Sequence, residues 1–241
     1  MTYCVGILLK TGLVMLSDSR TNAGVDNIAS FRKMTVWEQP GERVIGLMSS
    51  GNLAISQAVV TYLEEGLGEG GDTILTVPSL FKAAQLVGQA VRAVYTEVGG
   101  TLEAKEPGAF NVSLLLGGQI KGRRCRLFQV YSAGNFIHAS DRTPFFQIGE
   151  HKYGKPILDR ALAYDTEPRT AAKLALLSMD STLRSNLSVG LPLDLMIYRT
   201  DALKTELRRS IDEGDPYFEQ IRQGWSSALR NAIKAMPDVP W

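Results

Sequence analysis

Histidine and cysteine are scarce, at two residues each in 241. A Ser-His-Asp triad would need His138 or His151, and neither lies in a recognisable motif. Cys4 and Cys125 are too few and too far apart for a disulfide framework or a zinc site. Both sit in apolar runs and read as buried thiols. No basic segment followed by an apolar run opens the chain, so no signal peptide is expected. No stretch approaches the roughly 20 apolar residues that cross a bilayer. Neither charge sign is in excess: 26 Lys and Arg face 25 Asp and Glu, a formal charge of +1. That balance gives no reason to expect a nucleic-acid or membrane partner. The pairs Arg123-Arg124 and Arg208-Arg209 read as solvated faces. The chain also lacks a G-x-S-x-G elbow, a G-x-x-x-x-G-K-[ST] loop and an H-E-x-x-H pair. No cofactor and no metal is expected, and a reducing, cytoplasmic location suits the free thiols.

What remains is ordinary globular material, 44% hydrophobic and 21% charged. Runs of β-branched and apolar residues predict a hairpin from Thr2 to Leu16, turning at Lys10-Thr11-Gly12. A second hairpin is expected over Met34 to Met48 around Pro40-Gly41. Asn52 is placed to cap a helix that Gly66 stops. Apolar residues three and four apart predict a stronger helix from Ser79 to Val98, ended by Gly99-Gly100. Short strands follow between Asn111 and Ile148. Helices are then expected over Lys152–Tyr164 and, capped by Thr166, to about Ser185. Strands at Leu193–Tyr198 and Lys204–Ile211 precede a last helix, Pro216–Ala235. No linker or repeat divides the chain, so residues 1–241 are expected to form one domain. Strands and paired helices in separate blocks argue for an α+β fold, two sheets face to face with helices outside each.

Chemistry concentrates near the N-terminus. Thr2 leads straight into a strand, Ser17-Asp18-Ser19-Arg20-Thr21-Asn22 follows the hairpin, then Gly24, then Ile28-Ala29-Ser30-Phe31-Arg32-Lys33-Met34. Singly, Asp18 is a turn residue, Lys33 a solvated charge and Thr2 a terminal strand residue. As a set they resemble the proteasome β subunits among the N-terminal-nucleophile hydrolases. Those begin their first strand with a catalytic Thr, end the second in D-S-R, and carry I-A-S before a catalytic Lys. Ile45-Gly46-Leu47-Met48-Ser49-Ser50-Gly51 is similar to the family's strand entering the turn that supplies the oxyanion amide. The resemblance gives that role to Ser50 ahead of Gly51. Tyr153-Gly154 with Ile157-Leu158-Asp159, then Asp180, then Ser188-Val189-Gly190, resemble later family motifs. More narrowly, S-D-S-R-T-N, R-K-M, S-S-G-N and S-N-L-S-V-G-L-P resemble the Anbu family of bacterial proteasome-type predicted peptidases.

The resemblance implies a four-layer αββα sandwich and a threonine peptidase. Its catalytic residues would be Thr2, Asp18, Lys33, the Ser50 amide, Asp180 and Ser188. Thr21, Asn22, Met48, Gly51 and Asn52 would bind substrate. For Met48, plain core is an equal alternative. The residue types suit the chemistry. A hydroxyl needs a base, and a free α-amino group with a pKa of about 7.7–8 is one. Only Met1 stands before Thr2, so methionine removal is expected to expose that amine. Gly149-Glu150-His151-Lys152 departs from the family's G-S-G-S loop, leaving Glu150 or His151 to position the amine. A homo-oligomer, as a ring or a stacked or helical assembly, is implied; no ATPase partner can be read from the chain. Two other readings stand beside the peptidase: an amide hydrolase or transferase on a small metabolite, and a non-catalytic assembly subunit. The absence of an extension before the first strand weighs against the last.

Overall fold

The computed structural model describes residues 1–22 and 28–241. The first strands are β1 (Tyr3–Leu9) and β2 (Gly12–Asp18), then short β3 (Arg20–Asn22) and β4 (Ile28–Ser30), then β5 (Met34–Gln39) and β6 (Arg43–Gly51). Helices α1 (Leu53–Glu65) and α2 (Leu80–Val94) follow, with α3 (Gly100–Lys105) extending α2. Next come β7 (Val112–Ile120), β8 (Arg126–Val130), β9 (Phe136–His138) and β10 (Phe145–Gly149). The chain closes with α4 (Lys155–Ala161), α5 (Pro168–Ser185), β11 (Leu193–Arg199), β12 (Thr205–Ile211) and α6 (Pro216–Lys234).

Among the described residues, one antiparallel sheet runs β10-β1-β2-β11-β12 and another β5-β6-β7-β8-β9. Strand alternation sends successive side chains to opposite faces. Tyr3, Val5, Ile7 and Leu9 of β1 therefore join a core shared with α5 and α6. Cys4 and Leu8 enter the layer between the sheets, with Met15, Leu115 and Met196. On the far side, Ile45 and Leu47 of β6 pack against α1 and α2. The result is the four-layer αββα sandwich that the order of elements predicts.

Three local expectations are corrected. Gly99-Gly100 does not end α2: a π-helical turn, Tyr95–Gly99, carries the chain into α3. The Tyr95 ring lies against Gly99, where a Cβ would meet it at 2.4 Å, so this glycine serves packing rather than termination. Thr166 does not cap α5. Its hydroxyl accepts from Ala163 N at 3.0 Å, and Glu167 holds the cap position without a side-chain bond. Met48 is fully buried in the layer between the sheets, which makes it core and not pocket wall. The face that β6 turns toward the open side at this level carries Ser49 instead.

Candidate active site

β1 begins one residue after Thr2, and β2 runs antiparallel to it, Cys4 opposite Ser17. That register brings Asp18, at the end of β2, beside the start of β1. Asp18 is completely buried, and its Oδ1 accepts from Tyr3 N at 3.0 Å and from Lys33 Nζ at 2.7 Å. Its Oδ2 accepts from Gly190 N at 3.3 Å. Lys33, on the segment entering β5, is itself 7% exposed. The pair thus lies in a low-dielectric setting, where each charge depends on the other. Burial holds the Asp18 carboxyl above its ordinary 3.8, with the Lys33 charge and the Lys33, Tyr3 and Gly190 hydrogen bonds pulling it down.

Removing Lys33 or Asp18 alone should cost about 3–5 kcal/mol, the scale for stranding one buried charge. Removing both should cost much less than the sum. The Lys33→Met variant carries a pH signature. A carboxyl whose folded pKa is raised favours the fold while protonated and loses that support as pH rises through the folded value. The deficit of Lys33→Met against wild type should therefore shrink as pH falls from 7 toward 4, as denaturant melts at each pH would read. Additive single losses would refute the pairing.

Thr2 is 9% exposed and sits at the floor of a cleft of about 400 Å³. Lys33, Thr21, Ser50, Gly51 and Gly149 line the same cleft. The backbone of the loop after β10 holds Thr2: Glu150 N donates to Thr2 O at 2.6 Å. Gly149 has φ +80, and a Cβ there would lie 2.0 Å from the Thr2 carbonyl oxygen. Gly149→Ala should displace the start of β1, lowering Thr2-dependent activity by about 100-fold, the cost of a 1 Å misplacement. An active Gly149→Ala protein would show that this contact does not position Thr2.

The Glu150 side chain bonds to groups other than Thr2. Its carboxylate accepts from Lys152 N at 2.9 Å and from Asn186 Nδ2 at 3.3 Å. His151 is exposed, with Nδ1 3.4 Å from Gly149 O. The hydrogen bond to Thr2 comes from the main-chain Glu150 N–H and from neither of these side chains. The other support for β1 is Tyr3, whose hydroxyl accepts from Gln147 Nε2 and lies 2.6 Å from Ser178 Oγ. Ser178 spends its proton on Gly154 O at 2.8 Å, so Tyr3 donates to Ser178. Burial pushes the Tyr3 phenol up to about 12.

Register decides which amide faces the cleft. Ser49 N donates to Lys33 O at 3.0 Å, toward β5, and Asn52 N donates to Asn111 O at 2.8 Å, on the β7 side. Ser50 and Ser113 are opposed across β6 and β7. Amides two residues apart point the same way along a strand. The Ser50 amide is therefore committed to β7. The Gly51 amide points to the opposite side, beyond the start of β5, and Ser50 and Gly51 both line the cleft.

The structure separates other residues from Thr2. Asp180 is buried on α5, its Oδ1 accepting from Arg222 Nε of α6 at 3.0 Å and its Oδ2 ion-paired with Arg184 at 3.4 Å. It ties two helices together and does not line the cleft. Ser188 lies in the turn before β11, its amide donating to Asn186 Oδ1 at 3.0 Å; the contact with Asp18 comes from Gly190. The Asn52 side chain accepts from Ala54 N and Ile55 N, which makes it the cap of α1 rather than a cleft residue. Gly24 and the Asn22 side chain lie outside the described residues. Arg20, which sequence reasoning passed over, lines the cleft and donates through Nη1 to Leu187 O at 2.9 Å. The α-amino group of Met1 is held below its ordinary 8.0 by partial burial and then by Lys33, with Asp18 opposing. Among the described residues, no group of three or more His, Cys, Asp or Glu is arranged to hold a metal ion, and no helix is long and apolar enough to cross a membrane.

Two face-to-face antiparallel sheets between helix layers define the proteasome β-subunit class of N-terminal-nucleophile folds. No protein-family model and no curated protein matches the chain. Solved structures do. Anbu (ancestral β-subunit) from Yersinia bercovieri is 50% identical with a TM-score of 0.91, covering 98% of each chain. An Anbu (Gly-1) mutant from Hyphomicrobium sp. strain MC1 is 51% identical with a TM-score of 0.92 over the whole of both chains. The helical assembly of the Anbu complex from Pseudomonas aeruginosa is 46% identical with a TM-score of 0.92, covering 99% of this chain and 98% of that one. The chain belongs to the Anbu family of proteasome-related proteins.

Proposed function

We propose that this chain hydrolyses amide bonds, peptide bonds first among them, using Thr2 as nucleophile once Met1 is removed. The observation that carries the proposal is a buried Asp18–Lys33 ion pair at 2.7 Å in a cleft that Thr2 also lines. In this reading the Thr2 amine takes the proton of the Thr2 hydroxyl as Oγ1 bonds to the substrate carbonyl. Lys33 keeps the amine neutral by its charge, and Asp18 keeps Lys33 charged and in place. The Gly51 amide receives the developing oxyanion, a contact worth about 3–4 kcal/mol in other hydrolases. The amine then returns its proton to the leaving nitrogen, and water cleaves the acyl-Thr2 ester. Asp180 and Ser188 act at a distance: Asp180 braces α5 against α6, and Ser188 belongs to the turn whose Gly190 amide holds Asp18.

The openness of the cleft favours an extended peptide over a small metabolite amide, with Thr21 on β3 available to its backbone. Two sheet-and-helix cores and the layer between the sheets together draw on elements from β1 to α6, which supports one domain over 1–241. The helical assembly of the P. aeruginosa relative supports a homo-oligomer here too. α6 agrees, burying only Phe218 and Ile221 and leaving Leu229 and Ile233 exposed for a second copy to cover. Free thiols and a reducing cytoplasm remain the location proposed. The functional reading is tested with a panel of fluorogenic peptides and small amides on protein whose N-terminus is verified as Thr2. Turnover of peptides that an N-terminal-Thr electrophile blocks is expected. Turnover confined to small amides would select the metabolite reading, and neither turnover nor labelling would leave an assembly subunit.

A further inference from the structure

We infer that the substrate residue on the acyl side of the cleaved bond carries a carboxylate. This deepens the hydrolase reading and rests on it. The cleft at Thr2 shares Lys33, Ser49, Leu53 and Ser56 with an adjoining cavity of about 450 Å³. That cavity is the nearest recess for a side chain on an acyl group held between Thr2 and the Gly51 amide. Met48 points into the layer between the sheets, so β6 lines the recess with Leu47 and Ser49, and Leu47, Leu53 and Val60 make its apolar part. Leu53 gives a methylene stem something to lie on, and Thr35, Gln57 and Thr61 bring polar groups to the far wall.

The charge balance then selects the tip. Among the described residues, no carboxylate lines either cavity, whereas Arg20, Arg32 and Lys33 do. Lys33 is neutralised by Asp18 at 2.7 Å. Arg20 and Arg32 have no carboxylate within ion-pair distance among the described residues. Arg32 stands at the mouth of the recess, exposed. On its other side it borders Asp194, which also feels Asp212, but Arg208 and Arg209 line that same neighbouring cavity and outweigh the Asp194 charge there. A glutamate side chain entering over Leu53 meets the Arg32 guanidinium, a planar donor suited to a carboxylate. A lysine meets like charge, and a leucine, though it can lie against Leu47, Leu53 and Val60, leaves the Arg32 guanidinium without a counter-charge.

The test uses quenched peptides identical except for Glu, Gln, Leu or Lys at the acyl-side position. Glu should exceed Leu and Lys in kcat/KM by at least about tenfold, the gap narrowing between about 0.01 M and about 1 M ionic strength as screening shortens. Arg32→Gln should bring Glu level with Gln, and Arg32→Glu should move the preference to Lys. A wild-type preference for Leu or Lys would overturn the inference, as would an acid preference that Arg32→Gln leaves intact. Fluorescence anisotropy of the same peptides on Thr2→Ala protein reads the order without bond cleavage. Acid-selective binding with no cleavage by any form would sink the hydrolase reading and keep the charge selection. Thr2-dependent cleavage with Leu preferred would do the reverse.

Discussion

Thr2→Ala should abolish amide turnover, by on the order of 10⁴–10⁶-fold, the range seen when hydrolases lose a member of their catalytic apparatus. Covalent labelling by electrophiles that trap an N-terminal Thr should vanish with it. The fold should survive, for physical reasons visible around the residue. Thr2 precedes β1 and belongs to none of the three apolar cores. Its structural bond is made by the carbonyl, to Glu150 N, and alanine keeps that carbonyl. The next residue, Tyr3, still donates to Asp18 and still reaches Ser178. The melting temperature should therefore stay close to wild type while activity disappears. Intact-protein mass after electrophile treatment gives the labelling result directly. An Ala variant that labels as well as wild type would place the nucleophile elsewhere.

The legible part of this site was the part written locally. A turn at Lys10-Thr11-Gly12 sets the β1–β2 register, and that register alone carries Asp18 to the start of β1. The Asp18–Lys33 pair follows, because both residues sit at strand ends on the same rim. The four layers were legible for a similar reason, since period-2 and period-3.6 apolar patterns alternate in blocks. What was misread depended on partners far along the chain. Whether Met48 or Ser49 faces outward turns on a one-residue parity in β6, fixed by pairing with β5 and β7. The same parity turns the Ser50 amide toward β7 and the Gly51 amide away from it. Asp180 resembled a site residue until α6 supplied Arg222, 42 positions away. An acidic residue on a helix flanked by buried positions signals a buried partner, but not which one. Gly99 misled because glycine ends helices through open backbone conformations, whereas here it makes room for the Tyr95 ring.

Protein that retains Met1 should be inactive, and activity should track the fraction of chains beginning at Thr2. With Met1 attached, the Thr2 nitrogen is an amide whose lone pair is delocalised, so it cannot accept the hydroxyl proton. Met1 also lines the cleft, so its side chain occupies volume that substrate needs. The amine it carries is already held below 8.0 by burial and by Lys33. Once Met1 is gone, the amine of Thr2 lies on the cleft floor that Lys33 also lines, and its pKa should fall in the same direction. Activity of the processed form should then rise with pH through a midpoint below about 8, the ordinary α-amino value. Thr in second place is small enough for ordinary methionine removal. The decisive comparison sets protein made with Met1 blocked from removal against protein whose intact mass shows Thr2 first, both assayed on the same peptide. The blocked form should show no turnover and take up no electrophile, while melting like the processed form. Full activity from wholly Met1-bearing protein would eliminate the N-terminal amine as base. It would move that role to Lys33.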